Sequence, residues 1–162
     1  MKRFALACFC VACYGPLDVA PSVDQSKLGG TWFEIAHLPL AAQEGCTNTT
    51  ATYTPVEDGH FSVVHQCTLT NGGAVKQAAT LYDLGDASHA KLGIDLGGFI
   101  GDYWITEVAS DYRFLVVGHP SRNYFWILAR EKKLAQSDLD EILARAQREG
   151  FDTSKLEYTP QD

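Results

Sequence analysis

The sequence predicts an all-β protein with one helix near its C-terminus. Three observations carry that reading: eight short strand signals at regular spacing, turn residues between them, and a late change to helical periodicity. Sequential hairpins of this kind build a sandwich or an up-and-down barrel. With 162 residues, 46% of them apolar and 11% aromatic, the chain can bury one real core and would crowd two. Its net charge of -7 speaks against a nucleic-acid partner, which wants a basic face.

The elements follow in order. Thr31 to His37 is an apolar-rich run behind Gly29-Gly30, and Thr49 to Thr54 is β-rich and stops at Pro55. Glu57-Asp58-Gly59 reads as a turn. From Phe61 to Leu69 apolar and polar residues alternate, as in a half-buried strand. Asn71-Gly72-Gly73 is a hairpin signal leading into Ala74 to Tyr82. Lys91 to Leu96, Tyr103 to Val108, Arg113 to Val117 and Tyr124 to Arg130 complete the set, with a glycine-rich turn from Gly97 to Gly101. In the tail, Leu139, Ile142, Leu143 and Ala146 recur at helical intervals. A helix is therefore expected from Ser137, as N-cap, to Glu149, with Gly150 as the C-cap and the apolar stripe against the β-unit.

The N-terminus reads differently. Met1-Lys2-Arg3 is basic and Phe4 to Ala12 almost wholly apolar, the pattern of a secretory signal. Val11-Ala12-Cys13 resembles a bacterial lipobox, although Cys10 stands where that pattern prefers leucine. The expected division is a signal peptide over 1–12, a tether over 13–27 anchored by lipid on Cys13, and one folded domain over 28–162. A plain signal peptide cut nearby, or an unmodified N-terminus, is the alternative. Of five cysteines, Cys8, Cys10 and Cys13 belong to the leader. An exported chain meets oxidising conditions, so Cys46 and Cys67 are expected to form a disulfide. The rival is a nucleophilic Cys67 with His65 as its base, since both share one strand face.

Three segments together resemble the lipocalin family. Gly30-Thr31-Trp32 looks like the glycine-x-tryptophan motif that opens the first barrel strand. Ser110-Asp111-Tyr112 looks like the turn between the sixth and seventh strands, with serine in place of threonine. Trp126 to Arg130 looks like the closing arginine motif on the eighth. Asn123 to Arg130 and Arg148 to Lys155 narrow the resemblance to the bacterial outer-membrane lipoproteins related to apolipoprotein D. The resemblance implies an eight-stranded antiparallel up-and-down barrel with one helix packed outside. It implies that Gly30, Trp32, Asp111, Tyr112 and Arg130 are structural, Arg130 crossing Trp32 at the closed end.

An eight-stranded barrel has room for one small ligand. The resemblance implies a hydrophobic one, a fatty acid or lysophospholipid, carried or stored for bacterial envelope maintenance without catalysis. If Arg130 and Trp32 meet, then Leu128, Trp126 and Tyr124 share the lumenal face, while Phe125, Ile127 and Ala129 face out. Trp126 is then a ligand contact or plain barrel filling. Tyr82, Tyr103 and Phe99 are further candidates. No cofactor is implied, and the five histidines show no zinc-ligand spacing. The expected location is the periplasmic face of a bacterial outer membrane, or else the periplasm or the exterior. A homodimer is compatible with the sequence. Three rivals stand beside the lipid carrier: an enzyme using a reactive cysteine on the same barrel, a carrier of a pigment or tetrapyrrole, and an interaction module whose lumen is merely filled.

Overall fold

The computed structural model describes residues 14–56 and 60–162. The leader, the expected lipid anchor Cys13 and the expected Glu57-Asp58-Gly59 turn lie outside the described residues.

Eight strands close into an antiparallel barrel: β1 (Gly30–His37), β2 (Cys46–Pro55), β3 (Phe61–Leu69), β4 (Ala74–Asp83), β5 (Lys91–Asp95), β6 (Ile100–Val108), β7 (Phe114–Gly118) and β8 (Phe125–Ala129). Each pairs with the next, and β1 pairs with both β8 and β2, which closes the ring. The sandwich alternative is thereby removed. A short ninth strand, β9 (Glu157–Tyr158), adds to β1 beside Ala36 and His37. Outside the barrel lies α1 (Gln136–Arg148).

Strand alternation sorts the core into two layers. Trp32, Val63, Leu81, Leu92, Ile105, Leu115 and Leu128 fill the barrel interior. Phe114, Val116, Phe125, Ile127 and Ala129 face outward and meet Ile142 and Ala146 of α1, with Phe151 against Phe125. All five residues of β7 are buried because the helix covers its outer face.

Several strand ends shift by one to three residues, and three departures from expectation have identifiable reasons. The helix begins at Gln136, so Ser137 lies inside its first turn and Ala135 occupies the N-cap without a side-chain bond. A tertiary contact fixes this start: Arg113 donates to both oxygens of Asp138 at 2.9 and 2.7 Å. Gly101, expected in a turn, belongs to β6, where the Phe99 ring fills the space a side chain would need.

The third concerns residues 14–27, expected as a solvated tether. Leu17, Ala20 and Val23 are buried. The Ala20 amide donates to the Ile105 carbonyl at 2.9 Å and the Val23 amide to that of Ser88 at 2.8 Å. Leu17 joins the outer layer, whereas Ala20, Val23 and Leu28 join the inner one. Proline and serine made this stretch look like linker, but its apolar residues cover the end of the barrel and bury themselves in doing so.

Candidate functional site

Arg130 locks one end of the barrel. Its guanidinium carbon lies 3.6 Å from the centre of the Trp32 ring. Its nitrogens donate to the carbonyls of Thr31, Lys27 and Gly29 at 3.1, 2.7 and 2.9 Å. The Trp32 indole donates to the Leu28 carbonyl at 2.8 Å. Gly30 is required twice over, by its φ of +99° and by Arg130 Nη1, 3.2 Å from where a Cβ would stand. Beside them the Asp111 carboxylate accepts from the Arg113 backbone, and the Tyr112 hydroxyl accepts from the Asp24 amide at 2.6 Å. This end is shut.

The other end holds a cavity of about 320 Å³, small for a ligand pocket. The hydroxyls of Tyr53 and Tyr103 hydrogen-bond to each other across its floor. Burial pushes both phenols well above their ordinary pKa of 10, so the pair stays neutral. Above the floor, Tyr103 stacks on Trp126 with centroids 6.4 Å apart, and Trp126 stacks on Tyr124 at 6.2 Å. These three rings form one wall. The opposite wall carries the Cys46–Cys67 disulfide, with Cα atoms 5.4 Å apart, and His65. Burial lowers the pKa of His65, which favours its neutral form. At the mouth the His119 Nε2 and an Asp102 oxygen lie 3.8 Å apart.

The six positions offered as ligand contacts divide. Trp126, Tyr124, Tyr103 and Phe99 line the cavity. Leu128 points into the barrel but packs in the core with Trp32, below the cavity. Tyr82 is a correction: on β4 it is Leu81 that fills the interior. Tyr82 lies on the outer face, covering Gly93 of β5 and meeting the His60 ring edge-on. The free-thiol rival is also corrected, because both cysteines are in the disulfide.

Other lining residues were not anticipated. Gln43 comes from the loop between β1 and β2. Its amide joins the cavity to a buried carboxylate: Trp126 Nε1 donates to Gln43 Oε1 at 3.0 Å, and Gln43 donates to Glu34 Oε2 at 2.7 Å. The Thr159 hydroxyl, from the C-terminal tail, donates to the other Glu34 oxygen at 2.6 Å. Loop residues have no periodicity to betray them. His65 did carry a signal, since it shares a face with Val63 and Cys67. Among the described residues, no group of three His, Cys, Asp or Glu side chains is placed to hold a metal ion.

A barrel closed by an arginine on a tryptophan, open at the other end, agrees with the family comparison. Residues 23–161 match the family model described as a lipocalin-like domain. The chain is a lipocalin. It is 33% identical to the outer membrane lipoprotein Blc of Escherichia coli K12 over 158 residues, covering 93% of this chain and 89% of that one. It is 32% identical to temperature-induced lipocalin-1 of Arabidopsis thaliana, covering 90% and 83%. Apolipoprotein D of Macaca fascicularis is 25% identical, covering 93% and 82%, so this lipocalin falls in the branch that includes both Blc and apolipoprotein D. Among solved structures, insecticyanin from Manduca sexta superposes with a TM-score of 0.70 at 24% identity, covering 92% and 87%. At that identity the likeness concerns the fold. Family and cavity together support binding of a small hydrophobic ligand by this lipocalin.

Proposed function

We propose that this lipocalin carries or stores a single-chain lipid, a fatty acid or a lysophospholipid, for upkeep of a bacterial envelope, and that it catalyses no reaction. The observation that carries this reading is the cavity itself. It has one opening, a stacked aromatic wall, and ionisable groups gathered at the mouth. A hydrocarbon tail laid along Trp126 and Ile94 leaves water, and each buried methylene contributes about 0.8 kcal/mol. Ordering the chain offsets part of that gain. The small volume favours one acyl chain over two. A headgroup stays at the mouth, where Gln43, Asp102 and His119 offer hydrogen bonds. Similarity to outer membrane lipoproteins supports attachment through Cys13 at the periplasmic face of an outer membrane.

Trp126 reports on this directly, because it is the tryptophan that lines the cavity, while Trp32 lies in the closed end and Trp104 packs in the outer layer. Titration with palmitate or a lysophosphatidylethanolamine is expected to change tryptophan emission saturably, and Trp126→Phe is expected to remove that change. If neither lipid alters the emission of the wild-type protein or is retained by it, the lipid reading fails. A visible absorption band in the purified protein would favour the pigment carrier instead.

A further inference from the structure

Two hydroxyl groups in the barrel have bonding capacity that the described residues do not use. The first belongs to the tyrosine pair of the cavity floor. Two phenols bring two hydrogens, and the bond between Tyr53 and Tyr103 uses one of them. Neither hydroxyl bonds to any other described residue. Tyr103 lines the cavity and Tyr53 stands behind it in the core. With Tyr53 as the donor, the unused hydrogen is that of Tyr103, free to turn toward a ligand. The second is Thr49, which lines the same cavity from β2 and is 3% exposed, and whose Oγ1 has no hydrogen-bond partner. Leaving a buried hydroxyl unpaired is costly, and a plain alkyl chain offers it nothing.

Exposure falls along the ring stack from 38% at Tyr124 to 4% at Tyr103, so the deepest part of a ligand meets Tyr103. The surroundings there reject an anion. The Glu34 carboxylate is buried, and both its oxygens are taken by Gln43 and Thr159. After burial itself, this carboxylate helps to hold the Tyr103 phenol up. A second carboxylate at the floor would face like charge away from water. We propose that the cavity selects an acyl chain bearing a neutral oxygen, a hydroxyl or oxo group, at its buried end, and that Tyr103 is the residue that selects it. The Tyr103 hydroxyl donates to that oxygen while accepting from Tyr53. This rests on the lipid-carrier reading and narrows the class of chain that the barrel takes.

The test titrates the full chain with palmitate and with 16-hydroxypalmitate, which differ only at the chain end, and reads Trp126 emission. The hydroxylated chain is expected to bind about tenfold tighter, because it pairs a buried donor that palmitate leaves unpaired. Tyr103→Phe keeps the ring and is expected to bring the two ligands to equal affinity. Tyr53→Phe is expected to retain the preference, since the Tyr103 hydrogen is free in that variant as well. If both variants lose the preference alike, the pair acts through packing and the assignment to Tyr103 is wrong. Thr49→Val, of similar shape, is expected to leave the preference in place; if it alone abolishes it, the oxygen sits at Thr49 and the assignment is again wrong. Equal affinity of the wild type for the two ligands, or a preference for palmitate, overturns the proposal and leaves the lipid-carrier reading standing. Binding of neither ligand overturns both.

Discussion

His65 lies in the cavity wall, and burial holds its imidazole below the ordinary pKa of 6.5. The unfolded chain therefore takes up this proton first as pH falls. The stability owed to neutral His65 is complete above about pH 6.5 and drains away as pH drops toward its lower folded value. Urea midpoints measured through that window are expected to fall more steeply for the wild type than for His65→Gln; parallel curves would show that His65 contributes no such term. A tail packed against the ring desolvates it further, so lipid affinity is expected to weaken only at lower pH, where His65 of the folded, empty protein takes up its proton. At this scale the sequence was partly legible. Arg130 and Trp32 could be paired because each stands in a motif of its own, whereas Tyr82 could not be placed. Apolar residues occupy both faces of β4, so its phase could not be read; with Leu81 facing inward, alternation turns Tyr82 outward, where it covers Gly93.

Among the elements, β2 and β3 carry the strongest local constraint. The Cys46–Cys67 disulfide joins them across a sequence separation of 21, beside the cavity. Closing a loop of that size stabilises the fold by about 3 kcal/mol. The double variant Cys46→Ser, Cys67→Ser is expected to lose about that much in denaturant unfolding, with hydrogen exchange rising first at the mouth ends of these strands. Unchanged stability would mean that the strand ladders alone hold the wall. Strands were legible from alternation, and the disulfide from the redox setting. The packed segment 17–28 was not, because its buried residues follow no period and are spaced by the barrel end they cover. The C-terminal tail was equally hidden. β9 and the bond from Thr159 to Glu34 depend on partners more than 100 positions away.

For the molecule as a whole, one closed end and one open end explain why the family motifs and the ligand site lie apart. The motif residues Gly30, Trp32, Asp111, Tyr112 and Arg130 gather where the barrel is shut. The cavity is built largely from residues outside the motifs, such as Gln43, His65, Phe99 and Tyr103. Recognition of the family from sequence therefore reached the architecture, and left the ligand to the cavity's shape and chemistry. The measurement that tests the central claim most directly is native mass spectrometry of the exported protein, released gently from its membrane. The account predicts an added mass of one fatty acid or one lysophospholipid per chain, displaced by palmitate and reduced in Trp126→Ala. A barrel that emerges empty and takes up neither lipid when it is added would contradict it.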